Sequence, residues 1–484
     1  MSKLAYVECE SAITFDEYSL LLNQYENILQ KYFLGGVILI IAKKSIISNA
    51  LIQAAYKSKI VYSIIDPETP LKMYEHIIGT LQPTLIIKVA ADLDWSEFNL
   101  ENAIIQNSFN NSKTVDLAIN ENDVAYVLFT SGTTGLPKGV IVSRLALEHY
   151  LSWYIDSMGI TELDVLSSHP EYSFDLSVPD IFVGNRTRAT TVLFTSKSAK
   201  LFPSKVIQDR KITVWNSVPS VVELLEKGHK LGVGSIDSIR RMNFCGGPLM
   251  KSHLDWIFKI HPKVLVQNTY GPTEATVSMT AITLNNSNYK EYLSSSACLG
   301  REIPNMKIFA KRETSSGIVF EPFSEGETSE AIITGVQVAS GYFGNISETR
   351  SRFIYDGTLK YRGYLTGDLL TLENGDYYFS GRIDDQIKYN GFRIELGQIE
   401  AAAEQIGLPK SVATLVDGKL YLCVENHPNT PEEDTISLLK DHLPSHCFPM
   451  RIKKLSTLPH NSNGKRDRKA LVSIIKSMEK SHEN

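Results

Sequence analysis

The chain has 484 residues, about three times the length of a typical domain, so two or more domains are expected. Its residues are 43% hydrophobic and 21% charged, which is ordinary for a globular protein. The net charge of −5 provides none of the excess positive charge that nucleic-acid-binding proteins carry, so we expect no nucleic-acid partner.

The cysteine pattern and the apolar runs indicate the compartment. The five cysteines are scattered, without a Cys-x-x-Cys pair, which argues against disulfides or a zinc site and for a reducing compartment. The longest apolar run, residues 35–42, is too short to cross a membrane. Because Met1-Ser2-Lys3 leads into mixed polar sequence and not into a signal peptide, we expect a cytoplasmic protein without membrane insertion.

The N-terminal part of the chain alternates between helical and strand patterns. Thr14-Phe15-Asp16-Glu17 has the form of a capping box, and apolar residues follow it with helical spacing. A further helix is predicted near residues 145–158. Short apolar runs predict buried strands at residues 37–42, 61–65, 84–89, 190–194, 212–215, 241–244 and 264–267. This alternation is typical of an α/β fold with largely parallel sheets.

Residues 126–140 form a glycine-rich loop between two strand patterns. The loop offers unobstructed backbone N–H groups, several hydroxyls and the cation of Lys138, which are the groups that bind a polyphosphate. It is not a Walker A loop, because G-x-x-x-x-G-K-[ST] is not met and a strand pattern follows. Taken alone, the loop leaves an ordinary surface turn open.

The C-terminal part of the chain changes character twice. From about residue 307 it is rich in strands and includes the hairpin signal Asn374-Gly375. Near residue 384 it changes to mixed elements, namely helices at residues 395–403 and 431–443 and a hairpin of strands 412–416 and 420–424. We therefore expect a large N-terminal domain with a β-rich subdomain, residues 1–383, and a small α+β domain, residues 384–484.

Two segments of the large domain combine reactive groups in an order that suggests nucleotide binding. Residues 266–276 predict a strand that ends in a Gly-Pro turn, with Tyr270 and Glu274 beside the turn. Residues 364–369 place Asp368 directly after a glycine, and such a carboxylate accepts two hydrogen bonds from a ribose diol.

Three further segments carry charge in unusual settings. Residues 381–395 are densely charged but interrupted by apolar residues, and residues 461–465 are a polar turn that ends in Lys465. Residues 172–177 place Asp175 among apolar neighbours. Each segment alone has a plain structural interpretation, such as a solvated turn.

Together, the order and spacing of these segments resemble the superfamily of adenylate-forming enzymes, which includes acyl-CoA synthetases, luciferases and nonribosomal peptide synthetase adenylation domains. The resemblance covers essentially the whole chain. It implies that ATP and a carboxylate form an acyl-adenylate and pyrophosphate, and that the acyl group then passes to a thiol. It also implies that residues 384–484 form a mobile lid with its hinge at Asp384.

The resemblance implies a nucleotide site with ATP and Mg²⁺ as cofactors. The positions that match the phosphate loop are Thr130, Ser131, Gly132, Thr133, Thr134 and Lys138. The positions that match the turn against adenine and phosphate are Asn268, Thr269, Tyr270, Gly271 and Thr273. Asp368 and Arg382 match ribose ligands, and Glu274 matches the hard oxygen ligand of Mg²⁺.

The resemblance also assigns the chemistry to the two domains. Lys465 matches a catalytic lysine that stabilises charge on the α-phosphate and carboxylate, together with Thr273 and Glu274. For the second step the small domain is expected to rotate about Asp384 and present a loop with Lys388 and Gly391. A glycine there lets the backbone approach a pantetheine arm.

The amino-acid pocket follows from the same comparison of positions. In amino-acid-activating members an aspartate after Phe174 pairs with the substrate ammonium, and a carboxylate in an apolar pocket is costly unless a cation meets it. A helix cap is the alternative role for Asp175. The implied pocket residues are small and partly polar, which disfavours a large aromatic substrate: Phe174, Asp175, Leu176, Pro179, Ser220, Asn243, Cys245, Gly246, Thr269, Val277 and Ser278.

Residues 174–178, 244–246 and 268–277 most resemble stand-alone D-alanine–D-alanyl carrier protein ligases, in which a cysteine at the position of Cys245 favours the D-enantiomer. D-Alanine is therefore the favoured substrate. Departures at Asn243 and other positions leave open L-alanine, serine, threonine, glycine or proline in natural-product biosynthesis.

The acceptor thiol and two alternative functions remain to be weighed. No Gly-Gly-x-Ser phosphopantetheine site follows the small domain, so we expect a separate acyl or peptidyl carrier protein, or coenzyme A, to supply the thiol. An acyl-CoA or aryl-CoA synthetase is the first alternative, and Asp175 argues against it. A catalytically inactive binding protein is the second, and the presence of Lys465, Glu274 and Asp368 argues against it.

Overall fold

The computed structural model describes residues 2–9, 11–90, 94–106, 123–132, 136–315, 317–354, 362–389, 391–425, 432–459 and 466–480. The chain falls into two compact units. The first unit comprises Met1–Pro67, Leu81–Leu128 and Gly139–Ile383, and the second comprises Glu68–Thr80, Phe129–Lys138 and Asp384–Asn484. The assignment of residues 1–383 to a large domain and of 384–484 to a mobile lid stays a prediction.

The strands are numbered in chain order. They are β1 (Leu4–Val7), β2 (Ala12–Thr14), β3 (Val37–Ile41), β4 (Val61–Ile65), β5 (Leu85–Lys88), β6 (Ile104–Gln106), β7 (Val124–Thr130), β8 (Lys138–Ser143), β9 (Val165–Ser168), β10 (Thr190–Leu193), β11 (Val214–Ser217), β12 (Arg241–Phe244), β13 (Leu265–Tyr270), β14 (Thr280–Leu284), β15 (Arg301–Glu302), β16 (Met306–Thr314), β17 (Gly317–Glu321), β18 (Thr328–Gly335), β19 (Gly341–Tyr342), β20 (Phe353–Ile354), β21 (Gly363–Glu373), β22 (Asp376–Arg382), β23 (Gln386–Tyr389), β24 (Phe392–Glu395), β25 (Ser411–Val416), β26 (Lys419–Glu425) and β27 (Arg451–Leu455).

The helices are numbered in the same way. They are α1 (Phe15–Tyr32), α2 (Ile46–Lys57), α3 (Leu71–Leu81), α4 (Leu100–Ala103), α5 (Arg144–Met158), α6 (Val178–Thr187), α7 (Lys197–Leu201), α8 (Pro203–Arg210), α9 (Val221–Lys230), α10 (Lys251–Ile260), α11 (Ile346–Arg352), α12 (Leu396–Gln405), α13 (Glu432–Leu439) and α14 (Arg468–Lys480). No helix of the described segments is long and apolar enough to cross a membrane.

Two large sheets carry most of the first unit. One has the order β19-β8-β7-β4-β3-β5-β6, and β3 pairs with β4 and β5 in parallel. The other has the order β15-β14-β13-β12-β11-β9-β10-β1-β2, with β9 to β13 and the β1–β10 pair parallel. The α/β prediction is therefore confirmed. A site is expected at the carboxyl ends of β11 to β13, where parallel strands place their loops.

The β-rich subdomain and the small domain also have the predicted character. The subdomain sheet has the order β17-β16-β18-β21-β20, with β22 paired to β21. Its hairpin turns at Asn374 and Gly375, which have φ values of 54° and 76°, as a two-residue turn with both central residues left-handed requires. In the second unit β25, β26 and β27 form one sheet, and α12 and α14 lie against β25.

The predicted N-terminal capping box is present. Glu17 N donates to Thr14 Oγ1 over 3.3 Å, and Thr14 N donates to Glu17 Oε2 over 2.9 Å. This reciprocal bonding satisfies two backbone N–H groups at the start of α1. Behind it Tyr18, Tyr25 and Leu29 are fully buried in the core, as the helical spacing predicts.

Three predicted boundaries were wrong by a few residues. The strand expected at 212–215 covers Val214–Ser217, and Thr213 directly before it donates its side-chain hydroxyl to Asp164 Oδ1 over 2.7 Å. The strand expected at residues 264–267 ends at Tyr270 instead, directly before the Gly-Pro turn predicted from residues 266–276, and its last residues pair with β14. The helix expected to end at residue 443 ends at Leu439, where the chain turns before Pro444.

The cysteines are free thiols, as the sequence pattern indicates. Cys9 is exposed, and the other four are buried: Cys245, Cys298, Cys423 and Cys447. Burial raises the pKa values of Cys298, Cys423 and Cys447 to about 12, so these three thiols stay protonated at neutral pH.

Candidate active site

The parallel strands β11, β12 and β13 end side by side in the first unit. Asn216 is registered with Asn243, and Asn243 with Gln267. All three are buried, and the next layer along the same face begins with Cys245 and Thr269. Because side chains alternate along a strand, these polar groups share one face of the sheet. The carboxyl edge of the sheet is therefore the place where the predicted pocket residues assemble.

The predicted ribose ligands lie together on a hairpin of the first unit. Asp368 on β21 is registered with Arg382 on β22, and the two side chains form an ion pair that is almost completely buried. Arg382 Nη2 also donates to the Thr366 carbonyl over 3.2 Å. These bonds fix the orientation of the Asp368 carboxylate, because its partner Arg382 is itself held by the Thr366 carbonyl.

Tyr270 joins this pair from the end of β13. Its hydroxyl donates to Asp368 Oδ2 over 2.5 Å, and its ring is 3% exposed. Burial, and next the Asp368 carboxylate, raise the pKa of Tyr270 well above its ordinary value, so the hydroxyl keeps its proton. Tyr270, Asp368 and Arg382 thus form one hydrogen-bonded group, although the sequence placed them in segments roughly a hundred residues apart.

The turn after Tyr270 is unusually tight. A Cβ on Gly271 would lie 2.8 Å from both Val277 O and Ser278 Cα, so only glycine fits there. Thr276 and Val277 have φ values of 53° and 70°, which are strained for β-branched residues. Such strain is typical of functional sites and persists only where the surroundings enforce it.

Gln337 holds the strained turn of Thr276 and Val277 in place. It is fully buried, and its Nε2 lies 2.8 Å from Ser278 O and 3.1 Å from Ala275 O. Thr276 Oγ1 donates back to the Gln337 carbonyl over 2.7 Å. Gln337 was not among the predicted site residues, although a single polar residue in the apolar run Val336-Gln337-Val338-Ala339 is a detectable signal.

Glu274 follows Thr273 in a 3-10 turn and is buried. The Tyr342 hydroxyl donates to Glu274 Oε1 over 2.7 Å, and the Glu274 carbonyl accepts from Ala339 N over 2.8 Å. Within the described segments no group of three or more His, Cys, Asp or Glu side chains is placed to hold a metal ion. A single oriented carboxylate fits Mg²⁺, which usually takes one or two carboxylates and completes its shell with substrate phosphates and water.

The predicted pocket residues of β12, β13 and the turn are in direct contact. Ser278 Oγ lies 3.1 Å from Thr269 Oγ1 and 3.5 Å from Cys245 Sγ. Cys245 Sγ lies 3.7 Å from the Val277 carbonyl, and Gly246 follows it with a φ of 84°. These contacts make a small, partly polar wall, as the residue types predicted.

The segment with Asp175 approaches this wall from the helix side. Asp175 and the buried Leu176 lie in a 3-10 turn, with Phe174 before it and Pro179 after it in α6. The hydroxyl of Tyr150 on α5 is fully buried and has no hydrogen-bond partner among the described residues. Its pKa is raised well above the ordinary value, chiefly by burial, with Tyr154, Cys245, Asp175 and Asp180 adding to the shift.

Asp175 and Cys245 thus both lie within electrostatic reach of the Tyr150 hydroxyl. Tyr150 was missed by the sequence analysis, because nothing distinguishes it from the other aromatic residues of an amphipathic helix. Ser220 lies at the N-cap of α9, beyond the carboxyl end of β11. Asn243 lies one layer beneath Cys245 and bonds to Asn216.

The predicted phosphate loop lies in the second unit. Thr130 ends β7, and its Oγ1 is buried without a hydrogen-bond partner among the described residues. Ser131 Oγ donates to the Arg393 carbonyl over 2.7 Å. A Cβ on Gly132 would clash with the Leu136 carbonyl, so the loop requires glycine there. Lys138 starts β8, and Thr133 and Thr134 lie outside the described residues.

The remaining predicted residues of the second unit surround a hairpin. Asp384 precedes β23 and accepts from Gln386 N over 3.3 Å. Lys388 lies on β23, and Gly391 has a φ of 83° in the turn before β24. The Phe392 ring stacks on His446 with 4.0 Å between centroids. Lys465 lies outside the described residues.

Residues 1–343 match the AMP-binding enzyme family. The D-alanine–D-alanyl carrier protein ligase of Lacticaseibacillus casei is 32% identical over 380 residues, which cover 74% of this chain and 72% of the ligase. The same enzyme of Staphylococcus epidermidis is 30% identical over 438 residues, which cover 87% of this chain and 86% of that protein. The chain therefore belongs to the AMP-binding adenylate-forming enzymes, and the resemblance noted in the sequence is confirmed.

Solved structures confirm the fold. The Vibrio cholerae adenylation domain AlmE, in complex with glycyl-adenosine-5'-phosphate, superposes with a TM-score of 0.82 at 23% identity, covering 98% of this chain and 95% of that chain. The nonribosomal peptide synthetase protein PA1221, with adenylation and PCP domains, gives a TM-score of 0.77 at 20% identity, covering 97% of this chain and 81% of that chain. The protein is an adenylation enzyme in class, and ATP is its nucleotide.

Proposed function

We propose that the protein is a stand-alone ligase that activates a small amino acid and loads it on a separate carrier protein. The observation that carries the proposal is the position of Asp175, half-buried in the turn before α6, whose neighbours Phe174 and Leu176 pack in the same core cluster as Cys245 and Val277 of the pocket wall. A carboxylate at this position suits the α-ammonium of an amino acid. D-Alanine and small L-amino acids (alanine, serine, threonine, glycine, proline) form the candidate set, and the similarity to D-alanine–D-alanyl carrier protein ligases supports it.

In the first step a carboxylate oxygen of the amino acid attacks the α-phosphorus of ATP. The bond to the β-phosphate oxygen breaks, and pyrophosphate leaves. Asp368 and Arg382 position the ribose, and Thr273 contacts phosphate. Glu274 would hold Mg²⁺, which neutralises phosphate charge when bound. Lys465 stabilises the negative charge that develops between the two reacting groups.

In the second step the phosphopantetheine thiol of the carrier protein attacks the carbonyl carbon of the aminoacyl-adenylate. A thioester bond forms, the bond to the phosphate oxygen breaks, and AMP leaves while the thiol proton passes to solvent. The hairpin with Lys388 and Gly391 is the proposed contact of the pantetheine arm, after a rotation about Asp384. The reaction takes place in the cytoplasm, where ATP and free thiols are available.

The test is amino-acid-dependent ATP–pyrophosphate exchange with purified protein. The panel contains the common L-amino acids and D-alanine, and propionate serves as the matched control because it is alanine without the ammonium group. We expect exchange with at least one small amino acid and at most about one hundredth of that rate with propionate. A second assay measures by mass spectrometry whether the amino acid becomes attached to a holo-carrier protein. The apo form of the carrier and coenzyme A are tested as acceptors in parallel.

Exchange with fatty or aryl acids but with no amino acid would overturn the proposal and identify an acyl-CoA synthetase. Amino-acid-dependent exchange that loads coenzyme A but no carrier protein would overturn the assignment of the acceptor alone.

A further inference from the structure

The floor of the proposed pocket is a buried relay of three polar side chains, Asp180, Asn216 and Asn243. Asp180 lies on α6, and the two asparagines are registered neighbours on β11 and β12. They are 3%, 2% and 0% exposed. On β12 the residues on either side of Asn243, Met242 and Phe244, face a separate apolar core. Asn243 therefore points to the opposite face of the sheet, toward α6.

The hydrogen bonds of this relay have one possible direction. Asn216 Nδ2 lies 2.9 Å from the Leu176 carbonyl and 2.8 Å from Asp180 Oδ1. A backbone carbonyl only accepts, so the nitrogen of Asn216 faces it whether or not Asp180 is protonated. Asn216 Oδ1 then faces Asn243 and accepts from Asn243 Nδ2 over 2.9 Å.

This direction leaves Asn243 Oδ1 as an acceptor that is fully buried and has no hydrogen-bond partner among the described residues. Native proteins rarely leave a buried acceptor unpaired, because its hydration is lost without compensation. Flipping the Asn243 amide would bring two oxygens together at Asn216, so the orphaned oxygen is enforced by the relay.

The orphaned oxygen belongs to the residue directly below the predicted pocket wall. Cys245 is two residues further along the same strand face, roughly 7 Å away, and it contacts Ser278 and the Val277 carbonyl in the pocket wall. The Tyr150 hydroxyl, also buried and without a partner among the described residues, is coupled electrostatically to Cys245 and Asp180. Two buried polar atoms near Cys245, on Asn243 and Tyr150, thus have no hydrogen-bond partner among the described residues.

We infer that the substrate is a small amino acid whose short side chain ends in a hydrogen-bond donor, and that this donor is recognised by Asn243 Oδ1. A hydroxyl or an amino group satisfies Asn243 Oδ1, whereas the methyl group of alanine or the hydrogen of glycine leaves it unpaired. The inference rests on the proposed function and narrows its candidate set. Asp175 serves the α-ammonium, so the side-chain donor is a second, independent polar contact.

The experiment is ATP–pyrophosphate exchange with matched substrates and two variants. The substrates are both enantiomers of serine, 2,3-diaminopropionate and alanine, together with glycine. We expect kcat/KM for serine or 2,3-diaminopropionate to exceed that for alanine of the same hand by about 100-fold or more. The relative rates of these two substrates distinguish a hydroxyl from an amino group as the donor.

Asn243→Leu removes the acceptor and is expected to abolish or invert this preference. Asn185→Leu is the matched control, because Asn185 lies on the same helix as Asp180 but bonds to Gln53. Its selectivity should equal that of the wild type, and thermal unfolding of both variants checks that they fold.

A wild-type enzyme that prefers alanine or glycine would overturn the inference and leave the proposed function standing. An enzyme that activates no amino acid would overturn both. If Asn243→Leu does not fold, the wild-type substrate ratios decide alone, because the inference predicts them without any variant.

Discussion

Asp368 is held on both sides before any nucleotide arrives. Tyr270 donates to one oxygen and Arg382 to the other, and all three side chains are largely buried. A carboxylate held in this way loses little conformational entropy when a ribose binds. In the proposed function, this pre-orientation of Asp368 therefore contributes to the affinity for the nucleotide and not to the rate of the chemical step.

Asp368→Asn is expected to raise the KM for ATP by roughly 10- to 100-fold, because charge-assisted hydrogen bonds are lost. It should also lower the free energy of unfolding by about 3 kcal/mol, since Arg382 is left as an unpaired, nearly buried charge. Exchange kinetics and denaturant unfolding measure the two effects.

Asp376→Asn is the matched control, because Asp376 lies on the same hairpin as Asp368 and pairs with a different arginine, Arg301 of β15. It should leave the KM for ATP unchanged. An equal rise in both variants would show that the hairpin acts as a whole and that Asp368 does not bind ribose.

Lys465→Ala is expected to lower the rate of adenylate formation about 10²–10³-fold or more, because an electrostatic donor is removed from the transition state. ATP binding, measured by calorimetry, should change little. Lys469→Ala, an exposed lysine at the start of α14, is the control and should retain full activity. Retained adenylation in Lys465→Ala would disprove the catalytic role.

The sequence singles out Tyr270, Glu274 and Asp368 because they stand in long motifs, and their roles stay predictions. It did not find Gln337, Asn216 or Tyr150, because their roles come from contacts between segments far apart in the chain. The glutamine in an apolar run is a local signal, but its role follows only from the fold, which places three carbonyls around its side-chain nitrogen.

The turn from Gly271 to Ser278 is an element that Gln337 braces. Gln337→Leu should leave carbonyls of this strained turn unpaired and destabilise the protein by about 1–3 kcal/mol. Because the turn carries Ser278 and Glu274, kcat/KM should fall as well. Gln53→Leu, which removes another buried glutamine of the first unit, should lose stability but keep kcat/KM. Unchanged kinetics in Gln337→Leu would assign it a purely structural role.

The β23–β24 hairpin offers a test of the second step. Gly391→Leu is expected to block thioester formation while sparing adenylation, because a side chain would obstruct the pantetheine arm. Gly418→Leu is the control, since Gly418 has a similar φ of 74° in the β25–β26 turn, with open space around it. Both substitutions cost about 1–2 kcal/mol of backbone strain, so a difference in thioester formation is specific to the hairpin. Loss of adenylation in Gly391→Leu would contradict the proposal.

Most elements were predictable from periodicity and turn chemistry. The capping box at Thr14 and the hairpin at Asn374-Gly375 have local signals, and the structure contains both. Element ends were predicted less accurately, as at β11, which covers Val214–Ser217 and not residues 212–215. The order of strands in the sheets carries no local signal and was not predicted.

At the level of the whole chain, the proposed mechanism needs a change of conformation between its two steps. Asp384→Pro fixes φ at this position and restricts Ile383, so it should hinder rotation at the proposed hinge. We expect thioester formation to slow by roughly tenfold or more, with adenylation less affected. Single-turnover assays of each step provide the comparison.

Asp384→Asn keeps the freedom of the backbone and should behave like the wild type. Equal slowing of both steps in Asp384→Pro would indicate general damage to the fold and would remove Asp384 as the hinge.

The contrast between Cys9 and the four buried cysteines has a practical consequence for studying that motion. Because Cys9 is the exposed thiol, a maleimide fluorophore is expected to attach there without removal of the other cysteines. One engineered cysteine on the surface of α14 would then supply the second dye. Single-molecule energy transfer between the two dyes could follow the domain movement in real time during turnover.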